Sequence, residues 1–234
     1  METYGTTVEQ LAQVSVKNHF NGTLNPYAQF QKPLTVEEVL ASPMIADPIT
    51  LYSCCPNTDG AAALVICDEA TAKSLSTPAV RIAASVLASG SYDAGRDITG
   101  WEAEERSAAQ AYEQAGLGPE DMHVIEVHDA FTISEIVHYE GLGLCPKGEG
   151  GRLIADGTTA LNGTTPVNPS GGLLSKGHPV GASGVAQIVE VVEQLRGTAG
   201  KRQVEGARVG LAQIMGGGKD TDVRACTIHV LRRD

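Results

Sequence analysis

Apolar and polar positions along the chain fall into two textures. The first 58 residues are broken up by polar and turn-forming residues, whereas from Asp59 onward apolar runs alternate with helical stripes. "TVEQLAQVSVKN" opens on Thr6-x-x-Glu9, the spacing of a capping box, and places Val8, Leu11 and Val14 or Ser15 on one helical face. "HFNGTLNPYAQFQKP" carries the breakers Asn-Gly and Asn-Pro, so the helix is expected to stop before it. A second box, Thr35-x-x-Glu38, opens "LTVEEVL". "DGAAALVICDE" (59–69) is a continuous apolar run bounded by turn residues, which predicts a strand buried on both faces. "EATAKSL" reads as a short helix, "AVRIAASVLAS" as a strand, and "GWEAEERSAAQAYEQAGLG" as a helix closed by Gly116. "MHVIEVH" is the next strand and "TISEIVHYEGLG" the next helix, with Thr132 and Glu135 as its box. A long connection rich in Gly, Thr and Asn then leads into a helix whose stripe is Val185, Ile188, Val189, Val192 and Leu195. "ARVGLAQIM" and "VRACTIHVL", separated by "GGGKDTD", predict an antiparallel hairpin.

From residue 79 the order is therefore β-α-β-α-β-β. That alternation implies the α/β class, with helices on both faces of a largely parallel but mixed sheet. Three segments result: 1–58 as loops around short helices, 59–78 as one strand and helix, and 79–234 as the main domain. No second copy of the unit and no low-complexity stretch is found.

Composition narrows the functional classes. With 42% hydrophobic residues in 234, the chain can bury one or two ordinary cores, and 27 glycines suit many tight turns. A net charge of −11 without any basic run argues against a nucleic-acid partner. No apolar run approaches the ~20 residues of a membrane span, and no leader pattern opens the chain, so a cytoplasmic location is expected. The cysteines at 54, 55, 67, 145 and 226 have neither C-x-x-C spacing nor clustering with histidine, so reduced thiols are expected rather than a metal site or a disulfide framework.

Three constellations could carry chemistry. "VIEVHDAFT" delivers His128 and Asp129 at the carboxyl end of a strand, where open α/β sheets bind ligands; a histidine that merely satisfies the turn is the blander alternative. In "SKGHPVGASG", Gly177 allows a sharp turn before His178, Pro179 stiffens the next residue, and Gly181 and Gly184 allow close approach to the incoming helix. A helix entrance of this kind suits an anionic thiolate or oxyanion, or simply close packing of helix on sheet. "AQIMGGGKD" places glycines after a strand, giving either exposed N–H groups lining a pocket or an ordinary hairpin.

Taken together and in this order, the motifs resemble the thiolases, in particular their sterol-carrier or lipid-transfer branch. The resemblance rests on "CPNTDGAAA" (55–63), "HDAF" (128–131), "NPSGGLLSKGHPVGASG" (168–184), "EGLGLCPKGEGG" and "QLRGTAGKRQV". It covers nearly the whole chain and implies the C-terminal half of that fold, preceded by part of the loop region and by the last strand and helix of a first half. It further implies that His178 exchanges protons with a cysteine nucleophile, and that His128 helps hold the thioester oxygen of a coenzyme A substrate, with Gly216 and Gly217 beside it. Asp129, Ser170, Gly171, Gly177, Pro179, Gly181 and Gly184 would support these loops. No covalently bound cofactor is implied.

Two departures from the family pattern bear on the reaction. The nucleophilic cysteine belongs to the first half of the fold, and none of the five cysteines here has its context. The positions where the family places a second, proton-moving cysteine are occupied by Ala130 and Met215. The resemblance thus implies an acyl-CoA enzyme of lipid or steroid metabolism that uses a complementary first-half chain, or assembles as a homo-oligomer. A retro-aldolase of steroid side-chain thioesters working beside an OB-fold, zinc-ribbon partner is the first alternative, with Tyr92, Tyr139 or Cys145 as further proton donors. A non-catalytic assembly or lipid-binding component is the second.

Overall fold

The computed structural model describes all residues except 93, 94, 96, 220, 221 and 234. Helix α1 spans Val8–Thr23. Its box is Thr7 with Gln10 rather than Thr6 with Glu9: Gln10 N–H donates to Thr7 Oγ1 at 3.2 Å and Thr7 N–H to Gln10 Oε1 at 3.0 Å. Both frames satisfy the motif, and the later one turns Leu11, Ala12 and Val14 inward. The helix also runs through Asn21-Gly22, where a break is predicted. Gly22 lies so close to Ser175 and to the Phe30 carbonyl that a Cβ would collide with both, so this glycine serves close packing instead of a turn.

Helix α2 (Val36–Leu40) opens on the expected Thr35–Glu38 box. A two-stranded hairpin, β1 (Met44–Ala46) with β2 (Ile49–Thr50), and a short helix α3 (Glu69–Ser74) follow. Residues 59–68 form no strand. Val65 is 99% exposed and Ile66 73%, because among the described residues no neighbouring strand offers this backbone its hydrogen bonds.

The sheet combines β3 (Arg81–Ala88), β4 (Val124–Glu126), β5 (Val209–Lys219) and β6 (Asp222–Arg232) in the order β3-β6-β5-β4. Pairs β3–β6 and β6–β5 are antiparallel, and only β5–β4 is parallel, so the sheet is mixed rather than largely parallel. The hairpin continues past Met215, pairing Gly216 with Ala225 and Gly218 with Val223; residues 220 and 221 of the predicted turn lie outside the described residues. Alternate residues serve opposite layers. Ile125, Leu211, Ile228 and Val230 join the core beneath helix α4 (Glu102–Ala115), while Val124, Ala212 and Leu231 join that beneath α8 (Ser183–Arg196). Helix α4 ends on left-handed Gly116, as its position in the sequence predicts.

Helix α5 (Thr132–Gly141) lacks the predicted box: Phe131 flanks its start, and Glu135 turns inward to a polar network. The Gly-rich connection contains two further helices, α6 (Gly150–Ala155) and α7 (Gly172–Lys176). On α8 the buried positions are Ser183, Gln187, Glu190, Val191, Gln194 and Leu195, whereas Val185, Ile188, Val189 and Val192 are half-buried. Two of the polar members are satisfied there: both oxygens of Glu190 accept from Arg202 Nε at 2.9 Å, and Gln194 accepts from Val204 N–H at 2.8 Å. No helix among the described residues is long and apolar enough to cross a membrane.

Candidate active site

His128 and His178 leave different elements and meet. Their ring centroids are 5.1 Å apart, edge to face. His128 follows the end of β4, and His178 lies in the turn between α7 and α8, where left-handed Gly177 (φ 107°) packs against Thr58. The hydrogen-bond partners assign the tautomers. Ser183 Oγ donates to the Pro179 carbonyl at 3.1 Å, so it accepts from His178 Nδ1–H at 2.8 Å and leaves Nε2 as the free, basic nitrogen. Met215 N–H approaches His128 Nδ1 at 3.4 Å, which leaves the hydrogen on Nε2 as a donor. Burial, followed by the imidazoles of His138 and His178, pushes His128 down to about 3, and burial with Lys176 lowers His178 as well. A neutral donor and a neutral acceptor thus stand side by side, suited to hold an oxygen and to take a proton.

The loops that present them are tied to one carboxylate. Asp129 is fully buried and accepts from Leu173 N–H at 2.7 Å, Leu174 N–H at 3.3 Å and Asn18 Nδ2 at 2.7 Å. The strand end is thereby locked to the start of α7. Ser170 bonds Glu126 through N–H (3.0 Å) and Oγ (2.7 Å), and Gly171, at φ 99°, lies against the Gly22 backbone. Gly184 meets Ile214 where α8 packs on the sheet. Gly181 has open space around its Cα and no left-handed backbone, so nothing here requires glycine at that position. Gly216 is likewise open, and Gly217 takes a positive φ of 68° beside Arg224; both follow directly on Met215 and are exposed.

Residues 54–60 thread over both loops. Cys55 N–H donates to the Ala130 carbonyl at 2.9 Å, Asn57 bridges to His178, and Gly60 abuts Pro179. Burial, followed by the charge of Asp129, pushes the Cys55 thiol up to about 11, and burial raises Cys54 too. Neither is a ready thiolate. Cys145 and Cys226 are both pushed up to about 12. Tyr139 is committed to Glu135 and to Thr159 at 3.0 Å in the interior, and Tyr92 holds a left-handed backbone whose N–H donates to Asp222. Ala130 and Met215 carry no exchangeable side-chain proton.

Residues 84–228 match the family described as thiolase C-terminal domain-like. The chain belongs to that family. It is 49% identical over its full length to an acetyl-CoA acetyltransferase of Methanothermobacter thermautotrophicus, and spans 60% of that protein. It is 47% identical over 95% of its length to the benzoylsuccinyl-CoA thiolase subunit BbsB of Thauera aromatica, again spanning 60% of it. Among solved structures, the Ltp2-ChsH2(DUF35) aldolase superposes over the whole chain with a TM-score of 0.86 at 28% identity, the chain covering 60% of its counterpart. The acetyl-CoA acetyltransferase of Bacillus anthracis shares the fold at a TM-score of 0.68 and 19% identity, over the whole chain and 58% of its own.

In this thiolase-type domain the contribution of α1 is not evident from pattern reading. Asn18 bonds both Asp129 and Glu135 at 2.7 Å, Asn21 reaches the Asn168 carbonyl at 3.0 Å, and beyond the helix Asn25 reaches that of Ser170 at 2.8 Å. Lys17 pairs with Glu135 and the Val167 carbonyl, both at 2.6 Å. The signal available in sequence is the Asn18, Asn21 spacing, a polar stripe on one helical face, with Asn25 following just after the helix.

Proposed function

We propose that this chain supplies the two-histidine part of a site that makes or breaks a carbon–carbon bond beside the thioester carbonyl of an acyl-CoA. The observation that carries the reading is the pairing of His178 Nε2, free to accept, with His128 Nε2–H, free to donate, on rings 5.1 Å apart. Coenzyme A thioester is the substrate, and no covalently held cofactor takes part. Acyl transfer by way of a thioester intermediate uses a cysteine from a complementary first-half chain, which His178 deprotonates.

A second reading, aldol cleavage of a β-hydroxyacyl-CoA, is favoured by the inert side chains at Ala130 and Met215 and by the likeness to an aldolase structure. In that reaction His178 Nε2 takes the hydroxyl proton as the Cα–Cβ bond breaks. The electron pair moves into an enolate whose oxygen is held by His128 Nε2–H. His178 then returns the proton to Cα, leaving a carbonyl compound and a shortened acyl-CoA. Ordering of 54–60 over both loops, with Val65 and Ile66 exposed beyond it, supports assembly with a first-half chain; a DUF35-type partner is the alternative that accompanies aldol cleavage.

The test is turnover by the complete protein with its co-expressed partner, offering β-ketoacyl-CoA with free CoA in one arm and β-hydroxyacyl-CoA in the other, with products separated by chromatography. His178→Ala is expected to lose ~10²–10⁴-fold, and His128→Ala ~10²–10³-fold. Unchanged turnover in His178→Ala would leave only a binding or assembly role.

A further inference from the structure

His128 lies two residues past the end of β4, where the ladder to β5 has stopped and its peptide groups need other partners. Side chains supply them. Gln213 Oε1 accepts His128 N–H at 2.9 Å, and His138 Nε2 stands 3.0 Å from the His128 carbonyl. Behind His138, its Nδ1 is 2.7 Å from Glu104 Oε1. His138 and Glu104 are both fully buried, and the Trp101 indole stacks on the His138 ring at 5.0 Å.

A carbonyl oxygen can only accept, so at 3.0 Å it is His138 Nε2 that carries hydrogen toward His128, which leaves two arrangements for the pair behind it. With an imidazolium and a carboxylate, both ring nitrogens donate. With a neutral imidazole and a protonated Glu104, whose carboxyl burial raises, Nδ1 accepts and Nε2 still carries hydrogen. In either state the His128 carbonyl receives a donor.

We infer that His138, backed by Glu104 and joined by Gln213, is a positioning residue that clamps the His128 peptide and so aims the His128 ring at the thioester oxygen. A fold-only role explains the arrangement poorly, because a buried imidazole–carboxyl pair adds little stability that packed apolar residues of the same volume would not. The clamp spans three elements: Glu104 comes from α4, His138 from α5 and Gln213 from β5, so the donor's aim is set by the packing of helices on sheet. This inference rests on the proposed role of His128, and its test separates the two.

In the complete protein, long-range ¹H–¹⁵N spectra report the tautomer of the His128 ring whether or not a substrate is known. His138→Leu withdraws the donor and is expected to convert the ring from the single Nε2–H form into a tautomer mixture. In the same variant kcat is expected to fall roughly 10²-fold, as a misplacement of about 1 Å does, with KM little changed. His138→Gln can still donate to the carbonyl and is expected to recover much of both losses. Should His138→Leu fail to fold, Gln213→Met removes the other end of the clamp and carries the same ring measurement. An unchanged His128 tautomer in a folded variant overturns the inference. If the tautomer responds but even the unmodified protein turns over neither thioester, the clamp stands and the proposed reaction falls.

Discussion

Asp129→Ala probes the joint on which the site depends. The carboxylate accepts from two backbone N–H groups at the start of α7 and from Asn18 Nδ2, in a place without solvent. Truncation leaves three donors orphaned in the interior, each costing about 1–3 kcal/mol, with the 3.3 Å bond from Leu174 at the low end. Part is returned, because Asp129 and Glu135 share Asn18 and the burial and mutual repulsion that raise the Asp129 pKa disappear with it. The balance is a loss of about 2–4 kcal/mol, which lowers Tm by roughly 5–15 °C in a chain of this size. Urea titration measures the first quantity. Amide exchange is more specific, since the amides of Leu173 and Leu174 are expected to lose protection ahead of the sheet strands. A loss below about 1 kcal/mol, together with unaltered exchange at those two amides, would refute the reasoning that this carboxylate holds the His178 loop to the His128 strand.

Four further outcomes are expected from the same geometry. His128 stays neutral in the folded protein down to about 3 but takes up a proton near 6.5 when unfolded, so the unfolded state binds more protons in between; urea midpoints are expected to fall as pH drops from 6.5 toward 4, and His128→Gln to flatten that slope. Gly22→Ala drives a methyl group into Ser175 and the Phe30 carbonyl, and the overpacking is expected to outweigh the helix-propensity gain by about 1–2 kcal/mol in a thermal melt. Ser183→Ala removes the acceptor that fixes the His178 tautomer, and is expected to lower kcat roughly tenfold at a stability loss of about 1–2 kcal/mol for the two hydrogen bonds given up. Val65→Asp, placed on a side chain that is 99% exposed, is expected to weaken association with a co-expressed first-half chain in size-exclusion chromatography while leaving the melting curve in place.

The two histidines, their glycine settings and the final hairpin could be read without coordinates because each is a local feature. A strand leading into His128-Asp129, though it stops at Glu126 and not at His128, and a left-handed Gly177 before His178 announce themselves by short-range pattern. The same holds for the Thr35–Glu38 box and the Gly116 cap, whose hydrogen bonds span only a few residues. Where pattern and structure part, a distant partner has changed the local preference. Asn21-Gly22 stays helical because its neighbours bond a loop nearly 150 residues away. Glu135 leaves its expected cap for Lys17, Asn18 and Asn168. Residues 59–68, apolar enough for a buried strand, find no strand to pair with and lie open.

Sequence alone therefore determined which residue types stand at the loop ends, since backbone conformation and short-range hydrogen bonds are local properties. Only the tertiary structure decided that the two rings meet at 5.1 Å, which nitrogen of each is free, and that His138, Gln213 and Asn18 hold the loops in place. Those outcomes depend on which buried donor faces which buried acceptor, and such pairings are chosen by packing among segments that no short window of sequence contains.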